Sequence, residues 1–173
     1  MDSSQPMDEQ QIKKLVTEAK RVEESAKWSG QGQFEQAKIW RGSNYALGVP
    51  ATALAAVAGA ASLASTAGRY WAGATALAAA AFGAVMTSLN LARRIEQAQT
   101  AANAYLALQQ DARVFYEIDV HAMGYEEARA ALGELIARQQ EVNKSAPIPS
   151  KRAYKRARRN IEGGGQTYEV DEK

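Results

Sequence analysis

GSNYALGVPATALAAVAGAASLASTAG, from Gly42 to Gly68, is followed by Arg69 and then by YWAGATALAAAAFGAVMTSLNLA, from Tyr70 to Ala92. Neither stretch holds Asp, Glu, Lys, Arg or His, and the first runs for 27 residues, the second for 23. As helices rising about 1.5 Å per residue they reach roughly 35 to 40 Å, enough to cross a hydrocarbon core of about 30 Å. A soluble helix of that length would normally show a face of Lys or Glu. The competing reading is a soluble helical hairpin, because alanine supplies 10 residues of the first stretch and 9 of the second. The strong insertion residues are few: Leu47, Val49, Leu54, Val57 and Leu63 in the first, and Leu77, Phe82, Val85, Leu89 and Leu91 in the second. At about -0.3 to -0.6 kcal/mol each, five of them contribute only about -1.5 to -3 kcal/mol per span.

Charge outside the stretches sets the expected orientation. Residues 24 to 41 supply Lys27, Lys38 and Arg41, and residues 93 to 112 supply Arg93 and Arg94, whereas the turn between the spans supplies Arg69 alone. Positive residues favour the cytosolic side, which predicts both termini in the cytosol. Trp40 and Tyr45 then mark one membrane interface and Tyr70 and Trp71 the other, where amphipathic rings are enriched. The first 40 residues lack an apolar core of the kind a secretory signal needs, so the hairpin is expected to act as its own membrane signal. The fold expected is all-α, a membrane protein with a two-helix transmembrane hairpin and a cytosolic helical bundle. Its predicted parts are N-terminal cytosolic helices over 1–41, the hairpin over 42–92 (spans 42–66 and 71–92), cytosolic helices over 93–144, and a linker, basic helix and tail over 145–173.

Small and polar residues recur along each span at steps of three and four. In the first they are Gly48, Thr52, Ala55, Gly59, Ser62 and Thr66; in the second Gly73, Ala76, Ala80, Gly83, Thr87 and Asn90. Such stripes let backbones approach closely, and their hydroxyls and amide can bond across an interface or to water. They are expected either to pack the two helices of one hairpin or to line a pore between several hairpins. Pro50 removes a backbone donor and predicts a kink in the first span.

The flanks read as helices. Ile12, Leu15, Val16, Ala19, Val22 and Ala26 recur at helical spacing over residues 8–28, and Gly30-Gln31-Gly32 predicts a break after them. Ile95, Ala98, Ala102, Tyr105, Gln109, Ala112 and Tyr116 predict that the second span continues as an amphipathic helix with a coiled-coil-like seam. Another helix is expected from about Tyr125 to Asn143, with Ala128, Leu132, Leu135, Ile136 and Val142 on its apolar side. Whether these helices close on one another or on neighbouring copies is left open. Pro147 and Pro149 predict a stiff linker, after which Ser150 caps a short helix over Lys151 to Glu162. Tyr154, Ala157 and Ile161 share one side of it, and Lys151, Arg152, Lys155, Arg156, Arg158 and Arg159 cover about half its circumference. Beside a membrane these cations suit anionic lipid headgroups, an acidic partner protein or a phosphate ligand. The triple glycine Gly163-Gly164-Gly165 ends the helix, and the tail from Gln166 is expected to be mobile unless Tyr168 and Val170 dock.

Composition argues against catalysis and cofactors. The 173 residues include no Cys and a single His, His121, which removes thiol nucleophiles, thiolate metal sites and most Ser/His arrangements. Lys and Arg total 21 against 19 Asp and Glu, too even for a general nucleic-acid binder. The adjacent pairs Glu23-Glu24 and Glu126-Glu127 point to different sides of a helix and converge on nothing. The triple glycine lacks the Lys and Ser/Thr of a phosphate-binding loop.

Phe34-x-x-Ala37-x-x-Trp40, Asn44-Tyr45-x-Leu47-Gly48-x-Pro50, Tyr105-x-x-Leu108-x-x-Asp111-Ala112-Arg113 and the later Pro147, Tyr154, Ala157-Arg158 and Ile161 resemble the SLATT domain. That family comprises two-transmembrane effectors associated with SMODS nucleotidyltransferases and SLOG sensors. The resemblance runs from about Leu15 to Tyr168 and carries no catalytic residues. It implies a pore-forming or membrane-disrupting effector of a prokaryotic antiphage or conflict system, located in the bacterial inner membrane. It implies also a homo-oligomer in contact with lipids, triggered by a nucleotidyltransferase, nucleotide sensor or other defence protein acting from outside the chain. The alternative expectation is a non-conducting membrane scaffold that recruits a partner through its cytosolic helices.

Overall fold

The computed structural model describes residues 7–62 and 66–168, apart from the side chains of residues 62–69. The described residues are helical with no strand: α1 Glu9–Ser62, α2 Thr66–Leu89, α3 Leu91–Glu117, a 3-10 turn Asp119–His121, α4 Tyr125–Ser145 and α5 Lys151–Glu162. They form two compact units, one of Met1–Gln36 with Gln97–Lys173, the other of Ala37–Glu96. Helix α1 contributes to both.

The first unit closes on its own helices. Leu15, Ala19, Val22 and Ala26 of α1 meet Ala101, Tyr105, Leu108, Ala112 and Phe115 of α3 and Ala128, Leu132 and Leu135 of α4. Each set steps by alternate threes and fours, the spacing that keeps one stripe of a helix facing its neighbours. The seam on α3 is displaced from the one its sequence suggests: Leu108 and Phe115 are buried at its centre, while Gln109 and Tyr116 lie at its edge. Burial of each Leu, Val or Phe here contributes about 1.5 to 3 kcal/mol. Three polar ties cross the seam. Tyr116 Oη donates to Glu23 Oε2 at 2.9 Å, Tyr105 Oη donates to Asn143 Oδ1 at 2.6 Å, and Arg138 pairs with Asp111 at 2.7 Å.

One interruption expected from the sequence is corrected: helix α1 runs without a break through Gly30-Gln31-Gly32, and Pro50 lies inside the same helix. At Gly30 the missing side chain serves packing: a Cβ there would lie 3.1 Å from Tyr105 Cβ and 3.6 Å from the Ala102 carbonyl. Glycine therefore admits α3 against α1 at a cost in helix propensity of about 1 kcal/mol. Conversely, the second apolar helix does not continue smoothly into α3. Asn90, placed in the stripe of that span, adopts φ 44° between α2 and α3. Asn tolerates this left-handed conformation better than most residues. The connection between α1 and α2 falls at residues 63–65, outside the described residues, so Ala67-Gly68-Arg69-Tyr70 belong to the first turns of α2.

In the second unit α1 and α2 are antiparallel, since Gly48 faces Met86 and, nearer the ends, the Arg94 guanidinium lies 5.9 Å from the Trp40 ring. Both helices are long and apolar enough to cross a membrane, and only 6% of each helix's apolar window is buried.

The glycines of the first unit give opposite expectations. Replacing Gly30 with Val should destabilise that unit by about 1 to 3 kcal/mol through overpacking against Tyr105. Gly133 lies in α4 with nothing within 4 Å of the Cβ position, so Gly133→Ala should stabilise by about 0.5 to 1 kcal/mol. Chemical denaturation followed by circular dichroism measures both.

Candidate functional site

The predicted functional residues fall on three surfaces. On the apolar helices the residues withdrawn from solvent include Leu47, Ala51, Leu54, Ala58 and Ala61 of α1 and Ala72, Thr75, Ala79, Phe82 and Met86 of α2. Each lies one position before a stripe residue. One residue turns a helix by about 100°, so the stripes are rotated out of the seam between α1 and α2. Thr52, Ala55, Gly59, Gly73, Ala76, Ala80, Thr87 and Asn90 are exposed, and a Cβ at Gly59, Gly73 or Gly83 would meet nothing within 4 Å. Gly48, against Met86 at 3.4 Å, and Gly83 are half-buried. Most stripe residues therefore lie outside the seam of one hairpin, and the residues one position earlier, of which Leu47, Leu54, Phe82 and Met86 are the largest, face it. Ser62 and Thr66 have side chains outside the described residues. The stripe hydroxyls bond within their own helices, Thr52 Oγ1 donating to the Gly48 carbonyl and Thr87 Oγ1 to that of Gly83, both at 2.9 Å. The alcohols are satisfied without a partner helix.

Beside this face lies an open apolar groove of about 510 Å³ lined by Asn44, Tyr45, Gly48, Val49, Thr52, Ala53, Ala56 and Met86. The interfacial aromatics divide. Tyr45, Tyr70 and Trp71 project freely, at 64%, 84% and 74% exposure, whereas Trp40 is half-buried beneath Arg94. Val49, Val57 and Leu77 are likewise more than half exposed.

The third surface is α5. Ala153 and Ala157, at 0% and 1% exposure, form its inward face, and Tyr154 turns outward instead of sharing it. Two methyl groups bring the helix close to its neighbours and leave the cations outside. Lys151, Arg152, Lys155, Arg158 and Arg159 are exposed and Arg156 is half-buried. Arg158 Nε donates to Glu162 Oε1 at 2.6 Å, and that contact raises the already high pKa of the guanidinium. Ser150 Oγ accepts from the Ala153 N–H at 3.3 Å, capping the helix. At the other end the triple glycine folds back: Gly164 takes φ 80° and a Cβ on Gly165 would lie 2.6 Å from the Asn160 side chain.

What holds α5 and its linker is a group of residues in and just after Gly30-Gln31-Gly32, the stretch at which the sequence predicts a break. Gln31, Gln33, Glu35 and Gln36 are buried in α1. The Gln33 amide donates to the Pro147 carbonyl, Gln36 Oε1 accepts from the Ser150 N–H at 2.7 Å, and Gln31 Oε1 accepts from Gln166 Nε2 at 2.9 Å. Gln31 Nε2 also donates to Glu35 Oε1 at 3.5 Å. Gln33 Oε1 and Gln166 Oε1 are buried without a donor from the protein, which offsets part of what the seam contributes. The clue in the sequence was the absence of Lys and Arg between Lys27 and Lys38. The start of the tail docks too, with the Arg113 guanidinium 5.4 Å from the Tyr168 ring; Val170 lies outside the described residues.

Other polar groups have structural partners. Tyr116 is pushed up to about 12, first by burial and then by its bond to Glu23; Tyr105 is raised by burial, against a smaller opposing effect from Ser29. A shallow cleft of about 280 Å³ between α3 and α4 holds the Asp111–Arg138 pair. His121 is exposed at the end of its 3-10 turn. Among the described residues no three His, Cys, Asp or Glu side chains are grouped to hold a metal ion. No family model, curated protein or solved structure matches the chain.

The glutamine seam predicts a protease readout. Gln36→Ala removes the acceptor for Ser150 N–H, a bond of about 1 kcal/mol. Tryptic cleavage after Lys151 and Arg152 should then accelerate roughly fivefold, measured by mass spectrometry on the folded chain, while Gln140→Ala on the exposed side of α4 should leave it unchanged.

Proposed function

We propose that the chain is a membrane-spanning effector that assembles with copies of itself and permeabilises the bilayer. The observation that carries this reading is the lack of cover on its apolar helices. With 6% of each apolar window buried, side chains such as Val49, Val57, Trp71 and Leu77 would face water if the chain stood alone in solution. Lipid or further copies must replace that water, at about 25 cal/mol per Å² of apolar surface removed.

Self-association is favoured by which residues face outward. Stripes of Gly, Ala and Thr present little bulk, so another helix can approach closely there, as membrane helices do at small-residue faces. A hairpin alone encloses no conduit, and the weak hydrophobicity of each span leaves room for protein contacts to supplement lipid. The helices of the first unit would transmit the signal from a nucleotide-producing, nucleotide-sensing or other defence partner. The setting, a prokaryotic conflict system acting at the inner membrane with both termini cytosolic, rests on the SLATT resemblance and on the distribution of Lys and Arg. No catalytic step is assigned.

Protein reconstituted into liposomes should release a trapped dye. Gly59→Leu and Gly83→Leu should each cut the initial rate about tenfold, because a Cβ at either position meets nothing within 4 Å and the added bulk faces a neighbouring copy. Undiminished release by both variants rules out the stripe contact, and no release by the parent chain in any oligomeric state favours a non-conducting scaffold.

A further inference from the structure

Helix α5 carries six cations and one acid, Glu162. Ala153 and Ala157 fix its inward side, so at about 100° per residue Lys151, Arg152, Lys155, Arg158 and Arg159 fall on the opposite arc. Only Arg158 has an ion-pair partner there; Lys151, Arg152, Lys155 and Arg159 make none among the described residues.

This arrangement costs the helix stability. Lys151 with Lys155, Lys155 with Arg159, and Arg152 with Arg156 are like-charge pairs four residues apart. Lys151 and Arg152 also stand at the positive end of the helix dipole, and the first turn holds no acid. The Ser150 cap and the Gln36 bond hold the helix in spite of this. An anionic surface would relieve both repulsions.

The flank of the cationic arc is apolar. Tyr154 is 57% exposed, and Ile148, held between two prolines in the linker, is 92% exposed. Basic residues beside exposed aromatic and aliphatic groups suit the boundary between headgroups and acyl chains. A long nucleic acid fits less well. Setting aside the six cations and Glu162 from 21 against 19 leaves 15 basic against 18 acidic residues elsewhere, so the rest of the chain offers a polyanion no net positive charge.

We infer that the outward face of α5 binds anionic phospholipid headgroups, with Tyr154 at its apolar edge. Because lipid can be offered to the folded chain from outside, this binding does not depend on the spans or on pore formation.

The chain has no cysteine, so Tyr154→Cys carries a unique environment-sensitive dye. The full chain is mixed with preformed vesicles of phosphatidylcholine, with or without one-third phosphatidylglycerol, and insertion is followed separately by alkaline extraction. Emission should shift to the blue with anionic vesicles alone, and the shift should reverse in high salt. Each cation replaced with Gln should weaken the response roughly fivefold, with helicity checked by circular dichroism. Equal emission with neutral and anionic vesicles overturns the inference. A response to inorganic phosphate or to a short DNA duplex as large as that to anionic vesicles overturns the assignment to lipid. A charge-dependent shift without alkali-resistant insertion preserves this inference and removes the spanning reading.

Discussion

Apolar surface that the chain itself leaves uncovered is the constraint on which everything else depends. A soluble α-helical protein buries its largest apolar side chains first, and the first unit does so with Leu15, Val22, Leu108, Phe115, Leu132 and Leu135. Over the described residues of 37–90 the pattern inverts. Ala58 and Ala72 are buried, while Val57 and Leu77, in comparable positions along the helices, are 57% and 75% exposed. A hairpin seam made of small residues and four larger ones, Leu47, Leu54, Phe82 and Met86, leaves most of both helices exposed. One chain therefore combines two kinds of packing, with apolar residues turned inward in one unit and outward in the other.

The first unit adds a second economy. Its three-helix seam is apolar and closed, but the linker and α5 are attached through glutamine amides, two alanine methyls and a cap. Such a contact is selective in geometry and modest in energy, because each bond replaces one made with water and two buried amide oxygens lack donors. Helix α5 and its linker are thus the part of the unit most readily released, and it is also the part that concentrates positive charge.

Much of the architecture was legible because it rests on residue types with unambiguous physics. Missing charges located the two apolar helices, and Pro147, Pro149, Ser150 and the triple glycine bounded α5. What was not legible depended on tertiary contacts. Gly30 and Gly32 resemble a helix break until Tyr105 and Pro149 are seen lying against them; a close approach and a turn demand the same residue. The stripes were visible by their spacing, but spacing fixes which residues share a face and not which face meets the neighbouring helix. A rotation of one residue separates the two, and it is decided by Leu54, Phe82 and Met86 filling the seam. The glutamines are marked in the sequence only by the absence of Lys and Arg around them; what covers them was not legible, because their partners, Pro147, Ser150 and Gln166, lie more than a hundred residues away in the chain.

The central claim, that hydrocarbon covers the face containing Leu77, is open to a direct measurement. A spin label is placed at Leu77→Cys in the chain reconstituted in lipid, with Glu134→Cys in α4 as the reference. Power-saturation spectroscopy then compares collisions with oxygen, which concentrates in the acyl region, and with a water-soluble nickel chelate. The account predicts that oxygen dominates at position 77 and the chelate at position 134. Equal access of the chelate to both labels would contradict it.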